Sequence, residues 1–400
     1  MFLLRTYQFP TEKSMGAEMG WIARNLADGQ GFRVGNYYAW MAPLYPFLMS
    51  MIFRLLGSYS SASAIATLVM QSIYSSLTVI PLYFIGKALF NPRVGFITAF
   101  LWASNTSSLK YAIRVVWSSS LTALGMALMI ILFLRLSRRP VRLRDSCLCG
   151  LVIGLAALND PVVLIFIPFA ALWMLWRAKD DFRAGVVHLT VIGIIAIALL
   201  MPWMVRNYRI FHRFVPIKST FGVNLWLGNH GPNINQATAG LGFWDRVEEL
   251  LPEEEVTFLM SLNEMERDRI FRDKAIDFIF DNPDIYIKYT VQRIYLFWRH
   301  SALQLDGISL VPFYLLAWIG IITSKHHWRD TILLLLLFAA FPIPNYLTIA
   351  HTHRFRFPIE GLLLVFVSYA VSYFLNLLVP ETTPNVTGAS LAASRQDIGV

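Results

Sequence analysis

Residues 118–135 read SSSLTALGMALMIILFLR, and residues 136–144 continue LSRRPVRLR. The first stretch carries no charge until its last residue. A helix of that length rises about 27 Å, close to the ~30 Å of hydrocarbon in a bilayer. The second stretch, with the end of the first, places Arg135, Arg138, Arg139, Arg142 and Arg144 in one short loop. Short basic loops stay on the cytoplasmic side of a membrane. One span and its direction therefore follow from these residues.

Working outward, the same pattern recurs. Charge-poor blocks predict spans over 64–86, 94–107, 118–135, 147–159, 161–176, 185–204, 307–323, 331–347 and 358–377. In lipid the backbone must satisfy its own hydrogen bonds, so each block is a helix. Alternation from the arginine loop puts Lys87 and Arg93, then Arg177, Lys179 and Arg183, then Lys325 and Arg329 on the cytoplasmic side. Every short basic loop falls on one side, which supports the set. The expected fold is an all-α polytopic transmembrane bundle with a large extracytoplasmic helical loop.

Composition agrees. Apolar residues make up 56% of the 400 residues and charged residues 15%, against about 25% charged in soluble chains. The net charge of +9 lies largely in the short loops, so it reads as a topology signal and not as a nucleic-acid surface. Cys147 and Cys149 stand too close, and are too few, for a disulfide framework.

Segment 41–57 is apolar but interrupted by Pro43, Pro46 and Arg54. If it lies in the interface, residues 5–40 share the outer side with the large loop; if it spans, they are cytoplasmic. Its prolines and length favour the interface. Phe2 to Leu4 read as the stub of a further span. The expected divisions are 1–205, a bundle with outer segments over 5–57; 206–303, the extracytoplasmic loop; 304–378, the last spans; and 379–400, a flexible tail. Within the loop, Pro252 and Glu253-Glu254-Glu255 predict a helix start, followed by apolar periodicity to Asn282-Pro283.

Polar residues worth weighing gather at the outer ends of the spans. Glu18 lies in a short amphipathic helix before a glycine-rich turn, and reads either as a base or as a solvated carboxylate. Arg206 and Asn207 follow Pro202-Trp203 at the mouth of a span, with Lys218, Asn224 and Asn229 beyond. They read as a polar rim for a sugar and an anionic group, or as edge anchors. His351, His353, Arg354 and Arg356 form an outward basic cluster before the last span, with Glu360 after it. Arginine suits phosphate through its planar fork; a metal lacks a third ligand, and a structural cluster is the plain alternative. Asp160 sits between two spans in Asn159-Asp160-Pro161, a common turn sequence. Lys110 and Arg114 add charge in the same zone. No nucleotide-binding, zinc-protease or nucleophile-elbow motif occurs.

The order of motifs is similar to that of a known family. An acidic helix with Ile22-Ala23-Arg24-Asn25-Leu26, then Ala42-Pro43-Leu44-Tyr45-Pro46, Asn91-Pro92-Arg93, Pro202-Trp203-Met204-Val205-Arg206-Asn207, Gly222-Val223-Asn224-Leu225-Trp226 and Arg354-Phe355-Arg356-Phe357-Pro358-Ile359-Glu360 resemble the GT-C glycosyltransferases that use polyprenyl-phosphate sugars. The bacterial protein O-mannosyltransferase-like and Rgt-type branch is the nearest in look. The resemblance implies an enzyme, an inverting hexosyltransferase with no cofactor, whose donor is a polyprenyl-phosphate sugar. Its partners would be membrane lipids, that donor and a glycan, lipid or protein acceptor, with no nucleic acid. It implies Glu18 as the base and phosphate contacts from Arg206, Arg354 and Arg356. It also implies a multi-pass protein of a bacterial inner or plasma membrane. The chain departs from the family in showing Met15-Gly16-Ala17-Glu18 where relatives carry an Asp-Glu pair, and Trp117-Ser118-Ser119 where many carry a second acid. A transporter or flippase of a lipid-linked or anionic solute, and an inactive truncated relative, are the alternatives.

Overall fold

The computed structural model describes residues 15–138, 142–231, 247, 250–299, 311–349 and 353–378. The expected stub at Phe2–Leu4, the tail after 379 and His351 lie outside them.

Two short helices come first, α1 (Glu18–Ala27) and α2 (Leu44–Leu56). Helix α2 rises about 20 Å, too little to cross alone. It buries Tyr45, Met49 and Phe53 at helical spacing, while Met51 and Leu55 stay exposed. Arg54 donates from Nη2 to Leu26 O at 2.7 Å, tying its end to the end of α1. Helix α2 is accordingly not among the segments long and apolar enough to cross a membrane.

The bundle follows as α3 (Ser61–Leu89), α4 (Pro92–Ser104), the short α5 (Thr106–Ile113), α6 (Ser119–Leu136), α7 (Leu143–Asn159), α8 (Ile167–Arg177) and α9 (Phe182–Phe211). Local chemistry sets the starts. Ser60 Oγ accepts from Ser63 N, and Asn91 Oδ1 accepts from Val94 N with Pro92 in the first turn, which satisfies N–H groups left over at helix ends. Small residues set the spacing between spans. A Cβ on Gly86 would stand 2.8 Å from Gly95 Cα, so α3 and α4 touch backbone to backbone.

Beyond α9 come α10 (Phe221–Gly228), α11 (Glu253–Ser261), α12 (Glu264–Asp281) and α13 (Pro283–Arg299), which together form the helical cap. The chain returns through α14 (Val311–Thr323), α15 (Trp328–Ala340), α16 (Ile343–Leu347) and α17 (Phe357–Leu378). Among the described residues, five segments are long and apolar enough to cross a membrane: Ser61–Leu89, Ser119–Leu136, Lys179–Phe211, Pro312–Leu347 and Phe357–Leu378. The fourth is not one straight rod. Run straight, its 36 residues would extend about 54 Å. Instead Tyr314 OH donates to Trp298 O near its start, and Trp298 Nε1 donates to Tyr346 OH at 2.8 Å near its end. Both ends meet one residue, so Ser324–His327 is a turn between two passes.

The ends of the spans sort cleanly. At one end Arg138 reaches Ala88 O, Arg177 pairs with Asp330 at 3.1 Å, Arg93 donates to Asn376 at 2.6 Å and Phe90 stacks on Tyr369. This end gathers the short arginine-rich loops. Residues 15–40 and the cap meet at the other end, where Arg206 Nη2 donates to Phe32 O at 2.9 Å.

Candidate active site

Five segments converge at the cap end. Helix α1 begins against the turn before α6: a Cβ on Gly16 would lie 3.1 Å from Val116 O. That turn is held by Gln71 of α3, whose Nε2 donates to Tyr111 O and Val115 O at 3.0 and 2.9 Å, while its Oε1 accepts from Trp117 N at 2.9 Å. Asn159, last in α7, donates from Nδ2 to Thr122 Oγ1 at 2.9 Å and brings Asp160 to the same place. Asp160 Oδ1 accepts from Val162 N at 3.2 Å and so starts the next turn. The loop after α9 supplies Lys218, and the turn before α17 supplies Arg354, whose guanidinium lies 4.4 Å from the Trp117 ring centre.

Four charged groups therefore share one electrostatic neighbourhood. Lys218 feels Asp160 and Glu18 as opposite charges and Arg354 as a like charge; Asp160 feels Lys218 and Arg354. Protein surrounds Asp160 and Lys218, yet Glu18, Asp160, Lys218 and Arg354 all keep part of their surface accessible. That combination describes side chains lining a recess. Burial lowers the Lys218 pKa and raises that of Asp160, since it disfavours either charge; the neighbouring opposite charges partly restore both. No described residue hydrogen-bonds to Lys218 or forms an ion pair with it. A desolvated ammonium beside a guanidinium, lacking a direct counter-ion, suits an anion.

The other residues singled out from the sequence fall elsewhere. Arg206 spends its guanidinium on Phe32 O and Tyr38 O and stacks at 4.5 Å on Trp203. Asn207 is fully buried and donates to Val215 O and Ile217 O. Asn229, also fully buried, donates to Leu225 O and Leu347 O and accepts from Arg293 Nη2 at 3.1 Å. Arg356 is 1% exposed and donates from Nη1 to Phe297 O and Trp298 O. His353 is buried, with Nε2 2.9 Å from Glu360 Oε2; Ser107 Oγ donates to the other Glu360 oxygen at 3.3 Å. These groups brace loops against the bundle. In place of the phosphate contacts expected of Arg206 and Arg356, the structure shows guanidinium groups committed to backbone carbonyls. Lys110 and Arg114 share the cap end, where burial and then the repulsion of Arg114 lower the Lys110 pKa.

Two residues were missed by sequence reasoning as site components. Asp160 looked like a turn residue, and it is one, but the turn faces the recess. Glu264 gave no signal: it is an acid in the first turn of an ordinary capped helix, with the Asn263–Glu266 capping box beside it. In the structure it is 3% exposed, and its carboxylate accepts from Tyr38 N at 2.6 Å, Ala39 N and Ser219 Oγ.

Comparison with known proteins agrees with this architecture. A family model described as dolichyl-phosphate-mannose-protein mannosyltransferase matches residues 41–205, less than half of the chain. No curated protein matches significantly. The archaeal oligosaccharyltransferase AglB from Archaeoglobus fulgidus, solved with an inhibitory peptide and a dolichol-phosphate, superposes with a TM-score of 0.58. Sequence identity is 13%, over 94% of this chain and 48% of that one. The apo crystal structure of the Archaeoglobus fulgidus oligosaccharyltransferase gives 0.57 at 16% identity, over 93% and 49%. This chain thus spans about half the length of those structures. With the bundle, the two short first helices and the cap in this order, the chain is an all-α polytopic membrane helix bundle that shares its fold with these oligosaccharyltransferase structures.

Proposed function

We propose that this chain is a membrane glycosyltransferase that moves a sugar from a polyprenyl-phosphate carrier to an acceptor on the extracytoplasmic side. The observation that carries the reading is the recess where Lys218 and Arg354 stand together beside Glu18 and Asp160. Two cations next to carboxylates match a reaction that releases a phosphate and accepts a proton. The partial match to a mannosyltransferase model, and a fold shared with a protein solved with dolichol-phosphate, support a lipid-phosphate donor. The arginine loops at the opposite end support a cytoplasmic placement for that end.

In this reading an acceptor hydroxyl oxygen attacks the anomeric carbon in line with the departing group, inverting its configuration. The new bond forms between that oxygen and the carbon. The bond from the carbon to the phosphate oxygen breaks, and its electron pair leaves with the polyprenyl phosphate. The hydroxyl proton passes to the Glu18 carboxylate. Lys218 and Arg354 hold the phosphate as its charge rises, which is where fixed cations accelerate a reaction most. The phosphate leaves as an anion and needs no separate acid.

The transporter alternative expects ionisable groups at mid-depth in the spans. Among the described residues the buried charged groups are Glu264, Arg267, Arg293, His353, Arg356 and Glu360. All lie in the cap or at the cap-side start of α17, a distribution that favours surface chemistry over transport. The test is transfer of labelled sugar from a polyprenyl-phosphate hexose to membrane acceptors by the protein in lipid vesicles. Activity in the native chain that disappears in Glu18→Gln, with donor binding retained, is the expected result. Full activity in that variant removes Glu18 from the mechanism; no transfer from any lipid-phosphate sugar removes the function. Mass spectrometry of surface glycans and glycolipids from a deletion strain identifies the product.

A further inference from the structure

Lys218 does not hold itself in place: no described residue bonds to its side chain. Its position is set by its neighbour. Ser219 N donates to Ala39 O at 3.0 Å, and Ser219 Oγ donates to Glu264 Oε1. The same carboxylate accepts from Tyr38 N at 2.6 Å and Ala39 N at 3.2 Å. One side chain from the first turn of α12 thus staples two loops, residues 38–39 and residue 219, to each other. The helix is itself locked to the loop and to α10. Arg267, one turn on, lies buried with its guanidinium 4.2 Å from the Tyr37 ring centre, and Asp268 Oδ1 accepts from Val223 N at 3.0 Å. A Cβ on Gly222 would meet Asp268 O at 2.0 Å, so α10 and α12 touch without a gap. Burying a carboxylate is costly unless its lone pairs are filled. Here hydroxyl and amide donors fill them, and Glu264 sits next to the recess without lining it.

We propose that Glu264 is a positioning residue for Lys218, so that the cap is part of the phosphate-binding machinery and not a cover over it. The proposal rests on the reading of the recess as a phosphate site. Arg354 follows His353, which contacts Glu360 at the start of α17, away from Glu264. The residues next to the two cations are thus held by different frames, Ser219 from the cap and His353 from the bundle.

A double-mutant cycle on the full chain in nanodiscs tests this, with radiolabelled undecaprenyl phosphate as the probe. Lys218→Ala should weaken binding at least about 10-fold, and Glu264→Gln roughly 3- to 10-fold. The Lys218→Ala/Glu264→Gln double variant should bind no more weakly than Lys218→Ala alone, because Glu264 acts through Lys218. Combined with Arg354→Ala, Glu264→Gln should instead multiply the loss. Losses that multiply with Lys218→Ala, or native affinity in Glu264→Gln, overturn the positioning role while the phosphate site stands. No saturable binding by the native chain overturns the phosphate reading and this proposal with it. If Glu264→Gln does not fold, Ser219→Ala removes the hydroxyl link without stranding a charge and runs the same cycle with the same deciding outcomes.

Discussion

Two sets of charged residues at the cap end differ in one respect. Arg293 is buried and donates to Gly228 O at 2.6 Å, Tyr346 O at 2.8 Å, Thr348 O and Asn229. Arg356, Glu360 and Glu264 are likewise buried and held by partners. Lys218 and Asp160, about as deeply surrounded, keep accessible surface, and Lys218 has no bonding partner among the described residues. The first set is matched to backbone groups that would otherwise be orphaned in a water-poor place. The second set is left for something else to match. Charge at a membrane surface therefore does not mark a site by itself; incomplete partnering does.

The largest effect that sharpens this contrast is at Glu18. Glu18→Gln should lower transfer by about 10²- to 10⁴-fold, the usual worth of a positioned base. Asp160→Asn, which keeps a cap for Val162 N, should cost less in the same radiolabel assay. The reverse order would move the base from Glu18 to Asp160.

Next is Arg293. Arg293→Met should destabilise the fold by about 3–5 kcal/mol, because several buried carbonyls lose their donor at once. Thermal unfolding in detergent reads this as a large drop in melting temperature. Lys218→Met should leave the melting temperature unchanged or raise it, while weakening binding of polyprenyl phosphate at least about 10-fold. A drop like that of Arg293→Met would make Lys218 a brace and erase the distinction.

Packing gives an intermediate effect. On Gly320 a Cβ would stand 2.0 Å from Phe366 O. Gly320→Ala should push α14 off α17 and cost about 1–3 kcal/mol. A native melting curve would show that the two passes do not touch there.

The smallest effect is in pH. Burial lowers the Lys218 pKa first, with Arg354 adding to this and Asp160 and Glu18 opposing it. The folded chain therefore releases this proton below the ordinary lysine value of 10.5, while the unfolded chain still holds it. Over that window stability rises with pH, because the unfolded state binds the extra proton. Phosphate affinity falls over the same window, because the ammonium is lost. Lys218→Arg keeps its charge, so its affinity should stay flat there. Titration of undecaprenyl phosphate binding against pH checks both curves.

The long apolar passes were legible because hydrocarbon thickness sets a length and short arginine-rich loops mark their ends; among the described residues five segments meet that length. Both signals are local in sequence. The turn at Ser324–His327 was legible for the same reason: Lys325 and Arg329 mark a short basic loop between apolar blocks. Part of the candidate site was legible too. Glu18, Lys218 and Arg354 stood out as polar residues beyond span ends, and the structure brings those three together. The resemblance to GT-C transferases pointed to the same end of the bundle. Arg206, Asn207, Asn229 and Arg356 carried the same kind of signal and turned out to be braces, since a span end looks alike in sequence whether its arginine meets a ligand or a carbonyl.

What the sequence determined by itself was the all-α bundle, its passes and the end at which polar chemistry gathers. These depend on transfer free energy, which each stretch of chain carries alone. Tertiary structure alone decided which of the gathered charges are spent. Whether a guanidinium is satisfied depends on carbonyls a hundred or more residues away, as Arg206 depends on Phe32 and Tyr38. Asp160 joined the candidate site for that reason, across a tight turn, and Glu264 came to stand beside it, bonded to Ser219 and to residues 38–39.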